Sequence, residues 1–142
     1  MEDVVSLEKL LTRSGIKIIK FYFSVSKAEQ AARFEERKTN PLKQYKLSPI
    51  DQFSQKLWDR YTLAEYLNFS QTHTDNAPWT IVKSDNKEAS RINAIKYLLS
   101  QFEYPDKIAD KYLKIDDDIL FTGKEKVKML AKEIAETKSL FD

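Results

Sequence analysis

Residues 16–30 have the sequence IKIIKFYFSVSKAEQ, in which a strand-like run leads directly into the start of a helix. Residues 16–25 are rich in β-branched and aromatic side chains, and lysines interrupt the first half, as in a mostly buried strand. Ser26 and Glu29 have the spacing of a capping box, which predicts a helix running to about Lys38. The stretch therefore predicts the strand-and-helix unit from which parallel sheets are built.

A second unit of the same kind follows later in the chain. WTIVK at 79–83 predicts a short strand, and DNKE at 85–88 predicts a capping box. The helix that it opens carries the apolar stripe Ile92, Ile95, Leu99 and Phe102. Between the two units, Ser48-Pro49 predicts the start of a helix reaching about Gln71, with the apolar face Phe53, Leu57, Tyr61, Ala64 and Leu67. The fold class is therefore α/β, with a parallel sheet flanked by helices.

Two strands are too few for such a sheet, because a pair leaves apolar faces and open edges uncovered. One interpretation is that part of the sheet is missing or is supplied by another chain. The alternative is a third strand, at 113–115 or at 119–121, beside the acidic run 116–118.

Composition limits the possible functions. A chain of 142 residues predicts one domain, and the absence of cysteine excludes disulfides and Cys-ligated zinc. The only glycines are Gly15 and Gly123, so neither a P-loop nor a dinucleotide-binding glycine motif can be formed. No apolar run approaches the roughly 20 residues that cross a bilayer, and the acidic N-terminus does not resemble a signal peptide. We expect a cytoplasmic protein without a membrane partner.

The segment 33–46 (RFEERKTNPLKQYK) concentrates positive charge: Arg33, Arg37, Lys38, Lys43 and Lys46. Arg33 and Arg37 are four residues apart and share a helix face. Guanidinium and ammonium groups on one element suit a polyanion, although a solvated basic face is the commoner meaning of such a run. The net charge of only +2 and the lack of a further basic stripe argue against nucleic acid as the partner.

A succession of motifs resembles the polyphosphate kinase 2 family over residues 1–103. The motifs are FYFSVSKAEQ (21–30), RFEER (33–37), NPLKQYKLSPID (40–51), APWTIVKSDNK (77–87) and ASRIN (89–93). They occur in the family's order and spacing. The family's Walker A loop and its following aspartate-arginine motif are absent, and Asp85-Asn86 stands where an acidic pair is usual.

The resemblance implies a P-loop-kinase-like sheet whose N-terminal half is missing, with a mobile helical lid at about 27–70. It assigns polyphosphate binding to Arg33, Arg37, Lys43 and Lys46, and places Asp85, Asn86, Lys87 and Arg91 near the nucleotide. No catalytic residue is assigned. Magnesium is expected of the complete enzyme, but no metal ligands are evident in this chain.

The implied function is phosphoryl transfer between inorganic polyphosphate and a nucleotide, with this chain inactive alone. It would act as a homo-oligomer or pair with a half that carries the P-loop. The alternative is a non-catalytic polyanion-binding or oligomerisation module. Residues 104–142 are expected to be a helical C-terminal extension. It would dock onto the body of the chain or onto another subunit through the stripe Val127, Leu130, Ala131, Ile134 and Phe141.

The remaining candidates favour structural roles. His73, the only histidine, lies in a polar loop and has no catalytic partners in its pattern, so a solvated or capping role is expected. The run 116–118 lacks the glycine of a calcium loop and predicts a solvated turn. Trp58, Tyr61 and Trp79 are expected in the core.

Overall fold

A computed structural model of the chain describes residues 1–139, apart from the side chains of Gln52, Lys138 and Ser139. Strands and helices alternate along most of this length. The elements are α1 (Glu2–Arg13), β1 (Lys20–Ser24), α2 (Lys27–Thr39), α3 (Asp51–Ser54), α4 (Trp58–Thr72), β2 (Trp79–Lys83), α5 (Lys87–Ser100), β3 (Leu120–Thr122) and α6 (Gly123–Ser139). Single 3₁₀ turns occur at Gln44–Lys46 and Asp110–Tyr112.

The three strands form one sheet in the order β1-β2-β3. β1 runs parallel to β2, with Lys20 opposite Trp79, and β3 runs antiparallel to β2, with Val82 opposite Leu120. The prediction of an entirely parallel sheet is therefore wrong, since the sheet is mixed. A third strand close to 119–121 is confirmed, whereas 113–115 forms no strand. An antiparallel edge strand on an otherwise parallel sheet is a common arrangement.

The central strand β2 is covered on both faces. Ile81 and Val82 point to opposite sides and are both 0% exposed. Ile81 packs with Phe69 of α4 and Leu130 of α6, whereas Val82 packs with Ala94 of α5 and Leu120. The fold is thus a three-layer α/β arrangement around β2, as the α/β prediction requires.

The C-terminal segment is part of this core. Thr122 and Glu125 form a reciprocal capping box at the start of α6, and Gly123 lies tightly against His73. Leu130 is buried and Val127 packs beside it, which confirms the predicted docking through these two residues. Ala131 is exposed, contrary to prediction, and Phe141 lies outside the described residues. The segment predicted as a helical extension also contributes β3, so it is not wholly helical; its boundary at 103/104 stays a prediction.

Two helices turn a different face to the sheet from the one predicted. The helix expected from Ser48 to Gln71 is divided into α3 and α4, and Phe53, Tyr61 and Leu67 are exposed. The predicted stripe residues Ile92 and Ile95 of α5 are exposed, as is Phe102, which lies beyond the end of the helix. The buried positions of α5 are Ser90, Asn93 and Ala94. Small side chains let a helix approach a sheet closely, and Asn93 also accepts a hydrogen bond from the Asp116 N–H at 2.8 Å. On α5, the most apolar face is therefore not the face that packs against the sheet.

A buried ion pair fastens α1 to the sheet. Lys20 donates to both carboxylate oxygens of Glu8, at 3.0 and 2.9 Å, and to the Thr72 carbonyl at 2.7 Å. Its ammonium also lies 4.9 Å from the centre of the Trp79 ring. The two charged side chains are only 9% and 11% exposed, so three elements meet at one desolvated charge pair.

Candidate functional site

Helix α2 presents the two arginines that the sequence singled out. The Ser26 side chain caps the helix by accepting the Glu29 N–H at 3.1 Å, as predicted. Arg33 donates to Glu29 at 2.7 Å and to the Ser84 carbonyl at 2.5 Å. Its guanidinium therefore joins α2 to the carboxyl end of β2, which is the usual position of ligand sites in α/β sheets.

The chain after α2 folds back onto the same helix. The Asn40 side chain accepts the Leu42 N–H at 3.0 Å, which shapes the turn at Asn40-Pro41. Lys43 then pairs with Glu36. Arg37 pairs with Asp51 at 3.0 Å, which ties the start of α3 to α2. The loop between α2 and α3 is thus held against α2 by two ion pairs.

This folding brings the cations together. A small cavity of about 70 Å³ is bounded by one carboxylate, Glu36, and by five cationic side chains that we call the basic cluster: Arg33, Arg37, Lys43, Lys46 and Lys87. The hydrogen bond from Lys43 lowers the pKa of Glu36 below its ordinary value, and the positive charges of Lys87 and Lys46 act in the same direction. All four residues predicted to bind polyphosphate lie at this one site.

The four residues predicted to lie near the nucleotide do not form one group in the structure. Lys87 belongs to the basic cluster. Asp85 accepts the Ser26 N–H at 2.8 Å, and the Asn86 side chain caps α5 by accepting the N–H groups of Glu88 and Ala89. Arg91 is exposed, one helical turn after Lys87, and does not line the cavity.

The sequence alone missed the carboxylates that hold the cluster and the position of Lys87 within it. Glu29 and Arg33 are four residues apart on one helix, a spacing that could have revealed their pairing. Asp51 lies 14 positions from Arg37, and Lys87 lies on a different element, so no local pattern brings these groups together. Only the folded chain places them at one site.

Other candidates have structural roles in the described part of the chain. The Nδ1 atom of His73 accepts the Trp79 N–H at 3.2 Å, and burial lowers the pKa of the imidazole. Asp116, Asp117 and Asp118 are exposed in a turn, as predicted. Within residues 1–139, no group of three or more His, Cys, Asp and Glu side chains could hold a metal ion. None of the helices there combines the length and apolar character needed to span a bilayer.

Comparison with known proteins gives consistent matches. The family model for polyphosphate kinase 2 matches residues 1–110. The NDP-polyphosphate phosphotransferase 2 of Ruegeria pomeroyi is 46% identical over 124 residues, which are 87% of this chain and 36% of that protein. The GDP-polyphosphate phosphotransferase of Pseudomonas aeruginosa is 46% identical over 123 residues, which are 87% of this chain and 34% of that protein.

A solved structure agrees with these sequence matches. The crystal structure of polyphosphate kinase 2 from Arthrobacter aurescens superimposes with a TM-score of 0.61 at 34% identity, over 64% of this chain and 33% of that one. This chain therefore spans only about a third of the length of the relatives that it matches. Because the family model covers well over half of its residues, the chain belongs to the polyphosphate kinase 2 family.

Proposed function

We propose that this chain takes part in phosphoryl transfer between inorganic polyphosphate and a nucleotide, and that the basic cluster is the place where polyphosphate binds. Residues 27–70 act as the lid that carries most of the cluster, in a cytoplasmic enzyme. The proposal is supported by the names of relatives at 46% identity, which are polyphosphate phosphotransferases.

The observation that carries the proposal is the convergence of five cations on one cavity. Adjacent phosphates of a polyphosphate chain each bear negative charge, and each can accept charge-assisted hydrogen bonds from guanidinium or ammonium groups. Arg33 and Arg37 are already oriented by Glu29 and Asp51, so little side-chain entropy remains to be lost on binding. Glu36 pairs with Lys43, and a bound phosphate would compete with Glu36 for the same ammonium group.

The proposal also holds that this chain is inactive alone. Phosphoryl transfer needs groups that neutralise the charge developing on the transferred phosphate, usually a P-loop and magnesium. The residues described here supply a cationic surface but no ligand set for a metal ion. Activity would then require a P-loop-bearing half, in the same assembly, to supply the magnesium site. Adding such a half from a relative should restore turnover, whereas robust turnover by this chain alone would contradict this part.

Titration with a defined polyphosphate tests the cluster. Lys43→Ala/Lys46→Ala removes two charges from the cluster, and Lys128→Ala/Lys132→Ala removes two charges from exposed positions of α6. If the cluster is the site, the first variant should lose at least tenfold in affinity and the second less than twofold. Equal losses in the two variants would mean that binding is generic electrostatics.

A second pair of variants tests the arginine geometry. Arg33→Lys/Arg37→Lys keeps the net charge but removes the planar fork that can bind two phosphate oxygens at once. Affinity should still fall severalfold, and the loss should persist at high salt, where the screened part of the binding has weakened. Unchanged affinity would show that only charge matters at these positions. Polyphosphate binding that survives all cluster substitutions would show that polyphosphate binds outside the basic cluster.

A further inference from the structure

The outward face of α5 is apolar and open to solvent in the described part of the chain. Ile92 and Ile95 are 46% and 56% exposed, and Leu99, on the same stripe, is half-buried. The small residues of α5 that pack against the sheet lie on the opposite side of the helix, because successive residues are 100° apart. An apolar stripe that points away from its own sheet is suited to a partner outside the fold.

The apolar positions on this face have the spacing of a helix-pairing seam. Ile92, Ile95 and Leu99 follow one another at intervals of three and four residues, as do the seam positions of two packed helices. Phe102 is exposed just beyond the end of α5 and lengthens the apolar surface. Such a seam is complementary to itself, since side chains of one helix fit the spaces between those of an identical helix.

The charge along this surface changes sign. Residues 89–100 contain two cations, Arg91 and Lys96, and no carboxylate, which gives a charge of +2. Residues 101–110 contain three carboxylates and one lysine, which gives a charge of −2. Two copies paired in parallel would bring like charges together, whereas an antiparallel pair would place opposite charges together at both ends.

We infer that the outward face of α5 is a docking surface for a second copy of this chain, with the two helices antiparallel around a two-fold axis. Ile95 of one copy packs against Leu99 of the other. Arg91 and Lys96 of each copy face the acidic segment 101–110 of the other copy. The contact is isologous, because both copies use the same patch.

An extension of the sheet would not cover this face. A strand added at the β1 edge would bring its helices into the layer that α5 already occupies, because helices on one face of a sheet lie side by side. Those helices would meet the flank of α5 rather than the face that points away from the sheet. The occupant must therefore approach from outside the layers, and the change of charge along the surface matches a second copy.

The docking surface is distinct from the basic cluster. In a pair centred between Ile95 and Leu99, the Lys87 residues of the two copies are about 30 Å apart along the helices, so neither cluster is covered. The contact consists mainly of one 14-residue helix from each copy. That is less than the roughly 800 Å² per partner of a standard interface, so the dissociation constant should be of the order of 10 μM.

Sedimentation velocity of the full chain tests this inference, at concentrations from about tenfold below to about tenfold above that dissociation constant. The chain should form a reversible dimer, and Ile92→Gln/Ile95→Gln should weaken it at least tenfold. Leu7→Gln/Leu10→Gln is the matched control, since those leucines are exposed on α1, and it should leave the dimer unchanged. All four positions are exposed, so both variants should fold normally, which circular dichroism would check.

A charge exchange tests the antiparallel arrangement. Arg91→Glu/Lys96→Glu makes the whole surface negative, and Glu103→Lys/Asp110→Lys makes it positive, at positions that are 89% and 90% exposed in the acidic segment. Each variant alone should dimerise severalfold more weakly than the unchanged chain. An equal mixture of the two should recover the dimer, because opposite charges then meet at both ends.

Several results would overturn the inference. They are a chain that stays monomeric throughout, a dimer that survives Ile92→Gln/Ile95→Gln, an equal loss in the α1 control, and a charge-exchanged mixture that does not recover. None of these substitutions changes a residue of the basic cluster. The outcome is therefore independent of polyphosphate binding, which is judged by its own titrations.

Discussion

Replacing Glu8 with alanine should destabilise the fold far more than an ordinary ion-pair substitution. The change leaves the Lys20 ammonium, which is 9% exposed, with only the Thr72 carbonyl and the Trp79 ring as partners. Removing one partner of a buried pair costs about 3–5 kcal/mol, because the remaining charge stays desolvated. Total stabilities are about 5–15 kcal/mol, so the loss is a large share. With a urea m-value of about 2 kcal/mol/M, the unfolding midpoint should fall by about 2 M.

Urea unfolding followed by circular dichroism measures this loss, and two further variants identify its cause. Lys20→Met/Glu8→Leu removes both charges, so its cost should be well below the sum of the two single changes. Glu136→Ala is the exposed comparison, since its pair with Lys132 spans 3.8 Å at 80% and 67% exposure, and it should cost less than about 1 kcal/mol. A loss from Glu8→Ala as small as that of Glu136→Ala would refute the argument, as would strict additivity in the double variant.

Three further predictions concern smaller features. Gly123→Ala should cost about 1–3 kcal/mol in urea unfolding, because the new Cβ would lie 2.5 Å from His73 Nδ1 and 2.8 Å from Trp79 Cβ; a neutral result would show that this contact relaxes freely. Glu36→Gln should strengthen polyphosphate binding severalfold in the same titration, since it releases Lys43 and removes a negative charge, and weaker binding would contradict the assigned site. Burial lowers the pKa of His73, and its neutral Nδ1 accepts the Trp79 N–H. The contribution of His73 to stability should therefore be complete above the ordinary histidine pKa and should decline as the pH falls toward the folded-state pKa. His73→Gln should reduce the difference in stability between about pH 7.5 and pH 5.5; an unchanged difference would assign it to other groups.

The strand-and-helix units were predictable because their signals are local. A β-branched run followed by a capping residue marks β1 and α2, and the predicted Ser26 cap forms. The predicted capping box at 85–88 is shifted by one residue, because Asn86 caps α5 while Asp85 accepts the Ser26 N–H. The basic cluster was predictable only in part. Arg33 and Arg37 share a helix face by spacing, but the arrival of Lys87 and Asp51 depends on chain reversals that no periodic pattern encodes.

The predictions of which helix face packs against the sheet were wrong for a physical reason. Hydrophobic periodicity identifies the most apolar face of a helix, whereas the face that packs is the one that fits the space available. On α5 that face is formed by Ser90, Asn93 and Ala94, which allow close approach to the sheet. The strand β3 has only three residues, too few for an alternating pattern to distinguish it from a turn. Its pairing with β2 follows from the tertiary arrangement rather than from its own sequence.

The unequal edges of the sheet limit how copies of this chain could assemble. β2 is paired on both sides, so β1, with five residues, and β3, with three, are the two edges in the described chain. Only β1 offers a run of free backbone groups long enough to hold another strand. In terms of valence, the described residues therefore leave one edge that is long enough to pair with another strand. If two copies paired through their β1 edges, neither copy would have a long free edge left. Such an association would stop at a closed pair and could not propagate into a filament.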